Sequence, residues 1–242
     1  MIMKNTEQII KNDTYQNGLY LENNPTWHEE DSSWKAEKIL NMLAGNNLKP
    51  KSIAEVGCGA GEILRCMAKE NPKADFHGYE ISRQAFEFCK KKEDKNLRFF
   101  HTDLLDKELK DKYDLLMAID VFEHVEDYLG FLRRLGTKGE YKIFHIPLDL
   151  SIQAILRVSP IVHFSRGKYG HLHHFTKEIA LLTLEKAGYE IVDYEYTSGS
   201  LELGNLPWKT RLLKIPRKLL FMINQDFAVR LLGGFSLLVL AR

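Results

Sequence analysis

The run GHLHHF carries His171, His173 and His174, with His145 and His163 nearby in the chain. Imidazole titrates near neutrality, so one of these histidines can take a proton from a hydroxyl or orient it. In extended backbone His171 and His173 face one way and His174 the other. H-x-H can also hold a metal, but no carboxylate with obvious ligand spacing accompanies it. The expectation is therefore no metal, with His171 or His173 lining a substrate pocket beside His124 of IDVFEHV. For His124 the plainer reading is packing at the mouth of that pocket.

A second constellation is AEVGCGAGEIL, with Gly57, Gly59 and Gly61 between an apolar run and a helix start. A dinucleotide turn wants G-x-G-x-x-G and sets a pyrophosphate on the helix N-terminus. The third glycine of that pattern would fall at Glu62, whose carboxylate competes for the same positive dipole end. The actual spacing is G-x-G-x-G, preceded by Glu55. A ligand with an amino group and no phosphate suits it better, and S-adenosylmethionine is one. Cys58, inside the loop, reads as a small space-filler rather than a redox group.

These residues need a scaffold. Strands are expected at 52–56, 74–80, 97–102, 113–119 and 141–146, with helical stretches EILRCMAKE, SRQAFEFCKKK and VEDYLGFLRRLG between them. YDLLMAI is nearly all apolar, as a strand covered on both faces should be. The alternation predicts a doubly wound parallel sheet with right-handed crossovers. An amphipathic helix, WKAEKILNMLAG, precedes it. TKEIALLTLEKAG is a later helix with Thr176 as N-cap, and strands follow at 189–197 and 235–241.

In such sheets ligands bind beyond the carboxyl ends of the strands. Glu80 ends the second strand and can accept ribose hydroxyls. Asp103 follows the third and can meet an adenine amino group. Asp120, Glu123 and His124 crowd the end of the fourth. Asp120 serves as a helix cap in the plainer alternative. Four signals at four successive strand ends carry far more weight than one glycine loop.

Together AEVGCGAG, HGYEIS, HTDLL and IDVFEHV resemble the successive motifs of class I S-adenosylmethionine-dependent methyltransferases, with the small-molecule, quinone O-methyltransferase-like group most similar. The resemblance covers roughly residues 33–146, with an echo in HHFTKEIALLTLEKAGYEI and the last strand. It implies an α/β, Rossmann-like seven-stranded sheet with the last strand antiparallel. It also implies a cofactor site of Glu55, Gly57, Cys58, Gly59, Gly61, Glu80, Ile81, Asp103, Leu104 and Asp120. S-adenosylhomocysteine would be the product. The implied activity is methylation of a small-molecule acceptor, at a hydroxyl. A non-catalytic scaffold that keeps the cofactor pocket is the alternative reading.

The 242 residues make one domain in this reading, spanning 1–242. An arm (1–32) and two insertions (147–175 and 198–232) form a lid. In the arm, TWHEEDSSW can close over the cofactor. Net charge is +1, which gives no general pull towards nucleic acid, and IDVF is not the turn of a nucleic-acid methyltransferase. Three cysteines without a CxxC pair, no apolar leader and no membrane-length apolar run lead to an expectation of a cytoplasmic protein. Residues 206–223 mix leucines with lysines and arginines. They read as lid or core, kinked at Pro216, with membrane-surface contact as the lesser alternative.

Overall fold

The structure, a computed structural model, describes residues 29–106, 109, 111–156, 170–203 and 208–242. Most of the arm, with Trp27 and His28, and His163 lie outside them.

Among the described residues the chain forms one seven-stranded sheet in the order β3-β2-β1-β4-β5-β7-β6. The strands are β1 (Ser52–Val56), β2 (Asp75–Tyr79), β3 (Leu97–Phe100), β4 (Tyr113–Ile119), β5 (Gly139–Pro147), β6 (Ile191–Thr197) and β7 (Ser236–Ala241). β1 to β5 pair in parallel, and β7 slots antiparallel between β5 and β6, as expected. The order reverses between β1 and β4. That reversal opens a crevice at the carboxyl ends of the two strands.

β4 is buried along nearly its whole length, because helices cover both faces. On one face lie α1 (Glu29–Gly45), α2 (Glu62–Glu70) and α3 (Arg83–Cys89), around Ile39, Leu64, Met67, Phe76 and Leu115. On the other lie α4 (Tyr128–Gly136) and α5 (Lys177–Ala187), around Phe122, Leu132, Phe144 and Leu184. Thr176 caps α5 as expected, accepting from Ile179 N–H, and Gly188 ends it in the left-handed region. α1 begins at Glu29, earlier than the apolar pattern alone predicts. Glu29, Glu30 and Asp31 fill its first turn, where acidic groups meet the positive end of the dipole.

Candidate active site

The glycine loop is built by backbone needs. Gly57, Gly59 and Gly61 all have positive φ. At Gly61, which opens α2 at φ 75°, a Cβ would lie 2.5 Å from the Phe99 ring, so a side chain there is excluded twice over. Glu62 turns sideways, binding Arg65 and Lys92. Cys58 packs into the core under the loop, and burial pushes its thiol well up. Its sulfur lies against Gly78 of β2.

Glu80 closes the loop onto β2. Its Oε2 accepts from Gly59 N–H at 2.9 Å and its Oε1 from Ser82 N–H at 2.7 Å. Burial raises its pKa, opposed by these donors and by Ile81 N–H. With about four acceptor sites in all, the carboxylate can still accept from a ligand. Ile81 beside it is 62% exposed. Asp103 is exposed at the end of β3, with Oδ1 accepting from Leu105 N–H at 2.8 Å. Leu104, next in the chain, is fully buried in the core.

Glu55, at the end of β1, is buried and its Oε2 has no hydrogen-bond partner. Burial holds this carboxyl well above its usual range, with nearby Lys35 pulling the other way. Lys35 comes from α1 and bonds Asp120 at 2.9 Å and Asp31 at 3.0 Å. Burial opposes the lysine's charge, but the two carboxylates outweigh it and raise its pKa.

Asp120 is held at φ 54°, an unusual conformation for a residue other than glycine. Its Oδ1 lies 2.6 Å from His145 Nδ1, whose Nε2 is 2.8 Å from Thr197 Oγ1. Burial opposes its charge, and His145 with Lys35 prevail, holding the carboxyl far below its usual range. It caps no helix; Asp127 does that for α4.

Next comes a single 3-10 turn, Phe122–His124. Phe122 nails it down, with ring contacts to Phe175 at 5.2 Å and Phe144 at 6.2 Å. The histidine run returns over this turn. Leu172 and His173 N–H both donate to Glu123 O, at 2.8 and 3.1 Å. Two successive N–H groups on one carbonyl break the alternation of a strand, so the expected facing of the histidines fails. His171 and His174 converge instead. Their Nδ1 atoms lie 2.6 and 3.2 Å from Asp149 Oδ2. His173 turns away, with Nε2 at 3.0 Å from Val125 O and its ring on Tyr128. His173 thus lies apart from the pair of histidines on Asp149.

His124 does sit beside His171, ring centroids 4.9 Å apart. Burial and then His171 press its pKa down to about 4. The Glu123 side chain is fully buried, neither oxygen has a hydrogen-bond partner, and burial drives its pKa well up. The 3.9 Å approach of Glu123 to His124 therefore joins two neutral groups. Glu123, His124 and His171 bring potential ligand atoms within 4.8 Å of one another, as do Asp149, His171 and His174. The carboxylates missing from the local sequence are supplied by other segments.

Sequence reading missed Lys35, Asp149 and Thr197. Lys35 left one signal. It stands three residues after buried Ser32 and four before buried Ile39, on the apolar face of α1.

Sheet order, positive-φ glycine loop and an acid at each successive strand end define a Rossmann-like fold built to hold a nucleoside with a charged tail. A profile described as a methyltransferase domain matches residues 27–194. The chain belongs to this family, among the class I S-adenosylmethionine-dependent methyltransferases. It is similar to the tRNA U34 carboxymethyltransferase of Aliarcobacter butzleri, 27% identical over 198 residues, covering 74% of this chain and 62% of that protein. It is also similar to the ubiquinone biosynthesis O-methyltransferase of Actinobacillus pleuropneumoniae serotype 5b, 25% identical over 151 residues, 55% of this chain and 64% of that one. The chain spans 36% to 64% of the length of the curated relatives it matches. Magnesium protoporphyrin IX methyltransferase from Synechocystis PCC 6803, solved with bound SAH, shares the fold at TM-score 0.59 and 15% identity, with 97% of each chain covered.

Proposed function

We propose that the protein is an enzyme that moves a methyl group from S-adenosylmethionine to the hydroxyl of a small-molecule acceptor. The observation that carries the acceptor side is the His171–Asp149 pair, 2.6 Å apart at the rim of the sheet. With Nδ1–H donating to the carboxylate, Nε2 is left as the basic nitrogen.

The residues present fit the cofactor. Glu55 offers a buried carboxylate oxygen with no partner beside the glycine loop, a place for an ammonium group. Gly57, Gly59 and Gly61 let a methionine tail approach the backbone, and Asp120 stands at the same edge. Glu80 has acceptor sites left for ribose hydroxyls. Exposed Ile81 suits an apolar contact with the base, and Asp103 can accept from its amino group. When bound, S-adenosylmethionine supplies a methyl group already activated by its sulfonium.

The chain's remaining work is alignment and proton removal. His171 takes the acceptor's proton as Asp149 steadies the imidazolium. His124, uncharged near neutrality, sets no positive charge beside His171. The acidic carboxyls of Glu55 and Glu123 are held neutral by burial until something charged arrives.

The test is incubation with radiolabelled donor and a panel of phenols, carboxylic acids and tRNA, with products identified by mass spectrometry. A methyl ether from a phenol or alcohol is expected. Product on tRNA or on carboxylates alone overturns the acceptor assignment. Cofactor binding with no product from any of them favours the non-catalytic scaffold.

A further inference from the structure

The helix Trp208–Ile223, the basic helix, runs unbroken through Pro216 and has two unlike faces. One holds it to the protein. Phe221 stacks on Phe235 at 5.3 Å, Arg217 lies over the same ring and donates to Gly233 O, and Lys214 Nζ donates to Leu203 O at 3.4 Å. The other face carries Ile215, Leu219, Met222 and Ile223. Their spacing, i, i+4, i+7 and i+8, makes a single helical stripe. All four point to water, 70%, 55%, 70% and 81% exposed. Lid or core describes only the first face.

A neighbour extends the apolar surface. The short helix Ile152–Leu156 exposes Ile152, Ile155 and Leu156. Gly233 ties the two helices together, its N–H donating to Gln153 Oε1 at 3.3 Å and its carbonyl accepting from Arg217. Scattered single apolar residues are ordinary on a surface, whereas a contiguous stripe marks an interaction site.

Charge selects the occupant. The basic helix contains Lys209, Arg211, Lys214, Arg217 and Lys218 and no acid, in a chain of net charge +1. A twofold contact through the stripe would set Lys218, exposed beside it, against its own kind. An anionic surface neutralises it. No helix among the described residues is long and apolar enough to cross a membrane, so the stripe can only lie in the interface plane.

We propose that the basic helix, with Ile152–Leu156 beside it, docks on an anionic lipid bilayer. Ile215, Leu219, Met222 and Ile223 enter the boundary between headgroups and acyl chains, and Lys218, exposed beside the stripe, meets the phosphates. The Ile152–Leu156 helix starts just beyond Asp149, so docking brings the acceptor rim towards the lipid.

The test is flotation of the full chain with vesicles of phosphatidylcholine alone or mixed with phosphatidylglycerol. Expected is binding to the anionic vesicles, weakened by salt. The K218Q variant should bind roughly fivefold more weakly. The L219D/I223D variant should stay in the soluble fraction. Because these positions are exposed, both variants should keep the wild-type melting temperature and cofactor affinity. No flotation of the wild type, equal binding to neutral vesicles, or flotation of L219D/I223D at the wild-type level overturns the proposal. So does wild-type self-association that L219D/I223D abolishes, which would make the stripe a protein interface.

Discussion

Gly59 N–H donates to Glu80 Oε2 at 2.9 Å, so one carboxylate fixes the glycine loop and stands where β2 hands the chain to the ligand crevice. Ser82 N–H engages the other oxygen. Glu80 thus shapes the loop before it touches any ligand. Glu80→Gln keeps the acceptor for one of these bonds and should bind cofactor more tightly than Glu80→Ala. Loss of hydrogen bonds to a charged group costs ~1.5–3 kcal/mol, one to two powers of ten in affinity. Calorimetry with S-adenosylhomocysteine checks this. A folded Glu80→Ala with unchanged affinity rules the acid out of the site.

The His171–Asp149 pair predicts a split between binding and chemistry. His171→Ala should lower kcat by ~10²-fold or more and leave cofactor affinity nearly unchanged. Asp149→Asn should lower kcat, because the imidazolium loses the carboxylate that steadies it. His173→Ala, whose ring faces Val125 O and Tyr128, should leave kcat close to that of the wild type. Exhaustive chelation is the companion measurement. Full activity after it is expected of a proton-transfer pair, and loss restored by a divalent cation would reassign the cluster of Glu123, His124, His171 and Asp149.

Much of this was legible because strand-end positions are set by local pattern. An apolar run followed by an acid places Glu55, Glu80 and Asp103 without knowing what packs where. Short apolar runs also drew β1 and β4 at their observed bounds. What stayed hidden came from contacts between distant segments. Nothing near Asp149 in the chain says that two histidines more than twenty residues on will share its Oδ2. The docking of residues 172 and 173 on one carbonyl overrode the alternation that had paired His171 with His173. The exposed stripe of the basic helix has the same spacing as a core-facing one, and only the fold tells which side is wet.

Glu123 predicts an unusual pH dependence of stability. Its folded pKa is raised well above the ordinary value by burial, so the folded state keeps a proton that the unfolded state gives up. This contribution is fully present below the unfolded pKa, ~4.3, and declines as pH rises towards the folded value. His124 works over a different window. With its folded pKa down at about 4, its contribution is present above ~6.5 and is lost as pH falls towards 4. Glu123→Gln mimics the neutral carboxyl and should match the wild type below about pH 4.3, where both states of the wild type keep the proton. Above neutrality it should be the more stable of the two. Melting temperatures across the pH range decide it, and a variant less stable than wild type at alkaline pH would mean that Glu123 is ionised in the fold.

Glu55 makes cofactor binding and proton movement inseparable. The carboxyl is buried at the end of β1, with one oxygen unpartnered and its pKa well above the ordinary range. An ammonium group arriving beside it favours the anion, so binding should expel a proton. Affinity for S-adenosylhomocysteine should therefore rise with pH until Glu55 is ionised in the free protein. Calorimetry at one pH in two buffers of different ionisation enthalpy reads the proton directly. Glu55→Gln should bind more weakly and release none from this position. Equal heats in both buffers for the wild type, or unaltered proton release in Glu55→Gln, would move the ammonium site elsewhere, with Asp120 a remaining carboxylate on that edge.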